Sequence, residues 1–307
     1  LAVGGKPAET NAYGMGSHDN VISQFELERR LYATENAFDP PGSVVMIQCA
    51  GSREEPNNYC SRICCAKALS NALILKKQRP DIKIWVFYRD IMTYGDLEKI
   101  YTEARAAGVF FIPFDPEQKP SVTVENGTVV VCGRDPVMGE DIRLTPDLVA
   151  LSTGLIPSSV DDLAAVFGIR VTLDGFIHEA DSKWRPMDTG REGIFVAGLC
   201  RAPANAREAM AEGEAAAYRA WRILGRTRIG DQRHSARVRH AICSQCELCI
   251  EICPYEARYI DLREKKVMVD AAACQGCGAC AAVCPNSASV LTDFEDSGIM
   301  DAIEAAL

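Results

Sequence analysis

Two runs of cysteine near the end of the chain have the spacing that binds [4Fe–4S] clusters. Each run reads Cys-x2-Cys-x2-Cys-x3-Cys-Pro, at Cys243, Cys246, Cys249 and Cys253 and again at Cys274, Cys277, Cys280 and Cys284. Three close cysteines wrap one cluster, and the fourth, followed by proline, reaches the other cluster. We therefore predict one cluster on Cys243, Cys246, Cys249 and Cys284, and a second on Cys274, Cys277, Cys280 and Cys253. Such a pair conducts electrons and does no bond chemistry itself.

The alternative for these eight cysteines is structural zinc or disulfides. A zinc site closes with four ligands, usually from two Cys-x2-Cys pairs, and this does not account for two complete runs that each end in Cys-Pro. Disulfide frameworks are typical of short secreted chains. This chain has 307 residues and 14 cysteines, eight of them at metal-binding spacing. We therefore expect a reducing, cytoplasmic location.

A second cysteine-rich segment follows a predicted buried strand, Ser43–Gln48. It carries Cys49, Cys60, Cys64 and Cys65 at the place where a Rossmann unit that binds NAD(P)H has a glycine-rich phosphate loop. Four thiols in place of that loop argue against nicotinamide binding and could close round a third [4Fe–4S] cluster. Their spacing matches no standard ferredoxin run, so buried thiols or a redox disulfide are the alternative.

Two further segments are typical of flavoproteins that resemble thioredoxin reductase. One is a predicted strand, Leu148–Leu151, that runs into Ser152-Thr153-Gly154. The other is the apolar segment Gly193–Gly198, followed by a predicted helix over Asn205–Leu224. In such folds the helix N-terminus directs backbone N–H groups at the flavin. We predict FAD contacts from Thr153, Gly154, Gly198, Leu199, Glu208 and Ala209.

This flavin site departs from the usual pattern in two ways. In such flavoproteins this strand normally ends in Gly-Asp, whereas here it ends in Gly198-Leu199. The Asp carboxylate that would contact the ribityl chain of the flavin is therefore missing. The first FAD fingerprint, GxGxxG after a strand, is also absent from the sequence. We expect the FAD to be shared with a segment upstream of Leu1 or with a partner chain. A flavin fold that has lost its flavin is the alternative.

Alternating strands and helices predict an α/β fold with a parallel sheet. Within it we predict a helix over Val21–Tyr32, a hairpin turning at Asn126-Gly127 and a last buried strand over Ile194–Ala197. The predicted divisions are a connector and FAD-domain remnant (1–40), an NAD(P)-domain-like Rossmann unit with the cysteine loop (41–146), the C-terminal part of an FAD-binding domain (147–225), a basic linker (226–240) and an α+β 2[4Fe–4S] ferredoxin domain (241–307).

The overall composition excludes two classes of partner. The net charge of −9 argues against nucleic acid. No apolar run in the sequence is long enough to span a bilayer. The hydrophobic fraction of 48% and the charged fraction of 24% are those of a globular protein. We therefore expect other proteins or small redox carriers as partners.

The cysteine loop and its surroundings resemble the A subunit of heterodisulfide reductase. The resemblance is carried by CAGSREEPNNYCSRICCAKAL, by VFYRDIMTYGDLEKIYTEARAAGVFFI after it and by YGMGSHDNVISQFELERRL before it. With the Gly193–Gly198 segment and the ferredoxin module, it covers nearly the whole chain and roughly the C-terminal half of that protein. It implies a thioredoxin-reductase-like fold whose N-terminal FAD half is missing here, and a third cluster on Cys49, Cys60, Cys64 and Cys65.

The resemblance also implies a function. The chain would be a cytoplasmic iron–sulfur flavoprotein subunit of an oxidoreductase complex, related to the flavoprotein subunits of quinone-interacting complexes. It would relay electrons between FAD and [4Fe–4S] clusters, in some complexes by flavin-based bifurcation, and would not be catalytically complete alone. The alternatives are a stand-alone NAD(P)H-dependent flavoenzyme with a fused ferredoxin, and a scaffold in which the clusters only brace the fold.

Overall fold

The computed structural model describes residues 1–33, 38–225, 234–292 and 294–307. In chain order the strands are β1 Gly5–Pro7, β2 Val21–Ser23, β3 Ser43–Ile47, β4 Lys83–Tyr88, β5 Phe110–Pro113, β6 Ser121–Glu125, β7 Thr128–Asp135, β8 Glu140–Leu144, β9 Leu148–Leu151, β10 Leu155–Pro157, β11 Glu179–Asp181, β12 Arg185–Thr189, β13 Ala236–Val238, β14 Arg258–Asp261, β15 Lys266–Val269 and β16 Ser289–Leu291. The helices are α1 Gln24–Tyr32, α2 Cys64–Gln78, α3 Glu98–Ala106, α4 Asp161–Phe167, α5 Ala206–Leu224, α6 Leu248–Glu251, α7 Ala279–Ala282 and α8 Asp296–Ala306. Within these ranges no helix has both the length and the apolar character needed to cross a bilayer.

A five-stranded parallel sheet forms the centre of the α/β body, in the order β2-β9-β3-β4-β5. Its central strand β3 is an unbroken apolar run because both faces of the sheet are covered. Val44 and Met46 face a core that includes residues of α2, whereas Val45 and Ile47 face a core that includes Val131 of β7. The strand therefore contributes to two separate cores through its alternating side chains.

The register of this sheet brings two predicted site segments together. Ile47 of β3 pairs with Leu151 of β9, so both strands end at the same edge. Just past these ends, the Ala50 N–H donates to the Ser152 carbonyl at 2.9 Å. The carboxyl edge of a parallel sheet is where α/β folds place their ligands. The cysteine loop and the Ser152-Thr153-Gly154 turn therefore lie side by side at that edge.

An antiparallel sheet, in the order β6-β7-β8, covers one face of the parallel sheet. The predicted hairpin between β6 and β7 is confirmed, and Asn126 and Gly127 both have the positive φ that its tight turn needs (51° and 81°). Strand β8 was not predicted, because its sequence Glu-Asp-Ile-Arg-Leu has only two apolar residues. It forms because the free edge of β7 offers a partner for its backbone.

Two predictions in the flavoprotein region were wrong in detail. The segment Ile194–Ala197 forms no strand; Phe195 makes only an isolated bridge with Asp188. Val196 is fully buried there, and its N–H donates to the Met187 carbonyl of β12 at 2.9 Å, so the pairing with β12 is limited to this short stretch. The predicted helix over Val21–Tyr32 begins three residues late, because Val21–Ser23 joins the sheet as β2 and Ser23 caps α1. The long helix predicted after Asn205 is confirmed as α5.

The C-terminal module is a small α+β unit. Strand β13 pairs with β16, and β14 with β15, around the cysteine-bearing loops. Residues 226–233 of the predicted linker lie outside the described residues. Residues 236–238 of that predicted linker form β13, which pairs with β16 of the module. A parallel α/β body followed by an α+β module confirms the predicted fold class.

The module is fixed to the α/β body by polar contacts. Arg191 and Asp270 form an ion pair at 2.5 Å, and the Gln275 side-chain amide donates to the Gly190 carbonyl at 3.1 Å. These contacts involve the loop that leads into the second cysteine run. They therefore hold one of the two predicted cluster loops against the body.

Candidate functional site

The eight cysteines of the C-terminal module divide between two cavities. One cavity, of about 350 Å³, is lined by Cys243, Cys246, Cys249 and Cys284. The other, of about 320 Å³, is lined by Cys253, Cys274, Cys277 and Cys280. These are the two ligand sets predicted from the spacing, including the exchange of the fourth cysteine between runs. Each set surrounds a space, which suits a cluster with four metal corners.

Local backbone conformations aim these sulfurs inward. Glu247 and Gly278 have left-handed φ angles (64° and 81°) immediately before the single-turn helices α6 and α7. The sulfur of the fourth cysteine in each run accepts a hydrogen bond from the backbone N–H of the residue four positions further along the chain. The Ala257 N–H lies 3.4 Å from Cys253 Sγ, and the Ala288 N–H lies 3.2 Å from Cys284 Sγ. Such N–H groups stabilise thiolate sulfur and tune a bound cluster.

In this module the pKa of one cysteine thiol is raised and that of another is lowered. Burial raises the pKa of Cys249. For Cys284 burial acts in the same sense, but it is outweighed by backbone hydrogen bonds from Ser289, Asn286 and Ala288 and by the charge of Arg258. The pKa of the Cys284 thiol is therefore held below its usual value. A thiol of this kind is readily deprotonated for metal binding.

A third cavity of about 320 Å³ lies at the edge of the parallel sheet. Cys49, Cys60, Cys64 and Cys65 all line it. It is lined by four cysteines, as are the two cavities in the C-terminal module, although the spacing in sequence is different. The cysteine loop reaches this shape through left-handed residues, among them Cys49 (φ 56°) and Arg62 (φ 61°). The structure thus brings together the four cysteines that the sequence singled out.

Burial shifts the pKa of three of these thiols upward. Burial, reinforced by the neighbouring cysteines, raises the pKa of Cys64 to about 12. Burial likewise raises the pKa of Cys65 to about 11 and that of Cys49 above its usual value. The Arg53 guanidinium opposes the shift at Cys49. The raised pKa values of Cys49, Cys64 and Cys65 mean that these thiols resist ionisation unless a cation compensates the thiolates, and metal binding supplies that charge.

In the described part of the chain, no group of three or more His, Cys, Asp or Glu side chains is arranged to hold a single metal ion. All three cysteine sets instead line cavities, each from four positions.

The predicted flavin residues line two adjoining cavities. Gly198, Leu199, Glu208 and Ala209 line a groove of about 1930 Å³ at the N-terminus of α5. Thr153 and Gly154 line a smaller cavity of about 430 Å³. Ile63 and Lys67 border both spaces. Cys64 lines the smaller cavity and also the third cysteine cavity, so the flavin region and the cysteine loop share a wall.

The N-terminus of α5 is built as a capping box. The Asn205 side chain accepts from the Glu208 N–H at 2.9 Å, and the Glu208 carboxylate accepts from the Asn205 N–H at 3.0 Å. The same carboxylate also accepts from Arg62 at 2.7 Å and from the Tyr94 hydroxyl at 2.8 Å. Burial acts to raise the pKa of Glu208, but the Asn205, Tyr94 and Arg62 donors outweigh it and lower the pKa.

Comparison with known proteins identifies the family. Residues 234–288 match the family model described as a 4Fe-4S dicluster domain. The chain is 36% identical over 317 residues to the A subunit of the H(2):CoB-CoM heterodisulfide,ferredoxin reductase of Methanothermobacter marburgensis, covering 98% of this chain and 47% of that protein. It is 35% identical over 280 residues to the second iron-sulfur A subunit of the CoB--CoM heterodisulfide reductase of Methanopyrus kandleri, covering 84% and 41%. This chain belongs to the family of heterodisulfide reductase A subunits.

The chain spans about half the length of the curated relatives that it matches. Among solved structures, thioredoxin reductase from T. acidophilum resembles it with a TM-score of 0.46 at 16% identity, over 72% of this chain and 64% of that one. The resemblance to the heterodisulfide reductase family that the cysteine loop predicted is confirmed. Both curated relatives are named as A subunits of heterodisulfide reductases.

The groove at α5 fits one side of an FAD. The first N–H groups of a helix have no intrahelical acceptor, so those of Ala206 and Arg207 remain for a ligand. Gly198 has a φ of 71°, and a Cβ there would lie 3.6 Å from the Ala209 Cβ at the groove wall. The Gly198 N–H donates to the Glu212 carboxylate at 2.6 Å, so a carboxylate does reach the end of the Gly193–Gly198 segment although Leu199 replaces the usual Asp. Bound there, FAD would supply one- and two-electron redox chemistry.

Sequence reasoning missed two parts of the site in this family member. Arg62 and Tyr94 connect the cysteine loop to Glu208, yet they lie 146 and 114 residues from it in sequence. Arg258 lines both cavities of the C-terminal module. An arginine in a short strand predicts an exposed side chain, so only the three-dimensional packing identifies it.

Proposed function

We propose that this chain is the electron-transfer part of a heterodisulfide-reductase-like oxidoreductase complex. It relays electrons between FAD and three [4Fe–4S] clusters, two in the C-terminal module and one in the cysteine loop. The observation that carries the proposal is the position of Cys64, which lines both the third cysteine cavity and the cavity beside Thr153 and Gly154. A cluster held there would lie against the flavin region, as an electron relay requires.

The third cluster is proposed on Cys49, Cys60, Cys64 and Cys65. The support is a cavity lined by all four cysteines. The raised thiol pKa values add to it, because uncompensated thiolates would be unfavourable at this depth. A redox disulfide would use two of these thiols and leave the other pair without a role.

FAD is proposed to lie along the groove at the N-terminus of α5 and to be completed by residues outside these 307. Thr153, Gly154, Gly198, Leu199, Glu208 and Ala209 are its proposed neighbours in this chain. Glu208 would act through its cap and its bond to Arg62 instead of by direct contact, since its carboxylate oxygens already accept three hydrogen bonds.

Partner subunits would deliver and remove the electrons, in the cytoplasm. We further propose that this relay operates by flavin-based electron bifurcation. A two-electron donor would reduce the flavin, and the two electrons would then leave singly by different acceptors. One-electron [4Fe–4S] clusters beside the flavin suit such single-electron steps.

The competing function is a stand-alone NAD(P)H-dependent flavoenzyme with a fused ferredoxin. Against it, the cysteine loop follows β3 at the position of a nicotinamide phosphate loop, and two of its cysteines open α2. Efficient NADH oxidation by the isolated chain would favour this alternative and contradict our proposal.

Anaerobic iron, sulfide and flavin analysis, with electron paramagnetic resonance, tests the proposal. Three clusters require about twelve irons per chain, whereas the module alone accounts for about eight. Reduction of the chain should produce signals from all three clusters. A content near eight irons would remove the third cluster from the proposal, and a content near zero would refute the electron-transfer function.

A further inference from the structure

A buried arginine lies between the two cysteine cavities of the C-terminal module. Arg258 is the first residue of β14, is only 4% exposed and lines both cavities. Its Nη2 donates to Cys280 Sγ at 2.9 Å and also to Ser289 Oγ. One guanidinium therefore faces both sets of four cysteines.

Within the described ranges no carboxylate forms an ion pair with Arg258, and its Nη1 is buried without a hydrogen-bond acceptor. Arg201 differs, since its side chain is also shielded but pairs with Glu212. A buried, unpaired cation is strongly unfavourable, so this guanidinium needs a negative charge that no described residue provides.

Two [4Fe–4S] clusters would provide it. A cluster with its four thiolates carries about two negative charges when oxidised and about three when reduced. Arg258 lines both cavities, and its bond to Cys280 reaches a proposed ligand of one cluster. The requirement for an anion and the proposed place of two anions therefore coincide.

We propose that Arg258 is the shared counter-charge of the two clusters and raises the reduction potential of both. The effect is larger for the cluster on Cys253, Cys274, Cys277 and Cys280, because the Cys280 sulfur accepts the hydrogen bond. This inference rests on the proposed function of the module. Reduction adds one electron to a cluster and forms no bond, so a fixed cation and an N–H donor to sulfur stabilise the reduced state.

The test compares three variants of the full chain after anaerobic reconstitution. Arg258→Met removes the charge at nearly constant shape, and Arg258→Lys keeps the charge but loses the guanidinium fork. Arg263→Met is the matched control, because it removes one arginine from the exposed turn that follows β14. Midpoint potentials are measured by mediated titration with dithionite and read by electron paramagnetic resonance. Hyperfine-shifted NMR signals of the cysteine β-protons separate the two clusters.

We expect Arg258→Met to lower both midpoints, most strongly at the cluster that includes Cys280, and Arg263→Met to leave them near the wild-type values. Arg258→Lys should shift mainly the cluster that includes Cys280. If Arg258→Met does not retain iron, the test rests on Arg258→Lys. An unchanged midpoint potential of the cluster that includes Cys280 in that variant would overturn the inference. Wild-type chains without clusters in the module would instead refute the proposed function, whereas intact clusters with unchanged potentials would refute only the role of Arg258.

Discussion

The guanidinium of Arg62 donates to the carboxylate of Glu208 at 2.7 Å and so ties the cysteine loop to the N-terminus of α5. Arg62 also donates to the Pro203 carbonyl at 3.1 Å and lies 5.0 Å from the centre of the Tyr94 ring. Its own backbone N–H contacts Cys60 Sγ at 3.3 Å. The proposed third cluster and the proposed flavin helix are thus joined by one side chain.

Glu208→Ala is expected to lower the free energy of unfolding by about 1–2 kcal/mol, because it removes half of the capping box and leaves Arg62 and Tyr94 without their acceptor. It should also weaken retention of flavin by the α5 groove. Urea denaturation followed by circular dichroism measures the first effect, and flavin content after gel filtration measures the second.

Glu214→Ala is the control for that change, because Glu214 is exposed on the same helix. It should alter stability by less than about 0.5 kcal/mol. Equal losses from the two substitutions would show that the cap does not support this helix end.

Cys64→Ser is expected to reduce the iron content by about four atoms per chain, since four thiolates hold one cluster. The signals of the two module clusters should remain. Colorimetric iron analysis and electron paramagnetic resonance measure both. Cys132→Ser is the matched control, because Cys132 lies in β7 and lines none of the three cysteine cavities; loss of iron from that variant would contradict the assignment.

Acidification should release iron from the cysteine loop before the module. Burial raises the pKa of Cys64 to about 12 and of Cys65 to about 11, whereas in the module the raised pKa of Cys249 is opposed by the lowered pKa of Cys284. Ligand thiols must lose their protons to hold iron, and a raised pKa favours the protonated thiol. Protons therefore compete better at the loop as the pH falls.

Iron release during a titration from about pH 8 to about pH 5 measures this order. The first iron lost, about four atoms, should come with disappearance of the third cluster's signal. Simultaneous release from all three sites, or earlier release from the module, would contradict the expected order.

Gly154→Ala is expected to destabilise the junction between β9 and the cysteine loop by about 1–3 kcal/mol. Gly154 has a φ of 86°, and a Cβ there would lie 3.0 Å from the hydroxyl oxygens of both Ser52 and Ser61. Ser61 also accepts from the Leu155 N–H at 2.8 Å, so displacement of this serine would disturb the loop between Cys60 and Cys64. Urea denaturation and the content of the third cluster are the measurements.

Gly190→Ala is the comparison for that substitution, because a Cβ at Gly190 meets nothing within 4 Å and its φ is not positive. It should leave the iron content unchanged. Retention of the third cluster by Gly154→Ala at wild-type stability would show that the close approach at Gly154 is not needed.

The α/β body and its hairpin could be predicted because their signals are local. The apolar run of β3 and the Asn126-Gly127 turn each act within a few residues. Strand β8 could not be predicted, because it depends on the open edge of β7. The apolar segment at Val196 predicted a strand, but it makes only one bridge and two backbone hydrogen bonds with β12.

The sequence by itself determined the ligand chemistry. Cysteine spacing predicted which four thiols share each cavity in the module, because a short loop limits how far neighbouring sulfurs can separate. It also marked Cys49, Cys60, Cys64 and Cys65, and it carried the family resemblance. Only the tertiary structure decided what surrounds these sulfurs. Arg62 meets Glu208, and Arg258 meets two cysteine sets, through contacts between segments far apart in sequence, which spacing along one segment cannot encode.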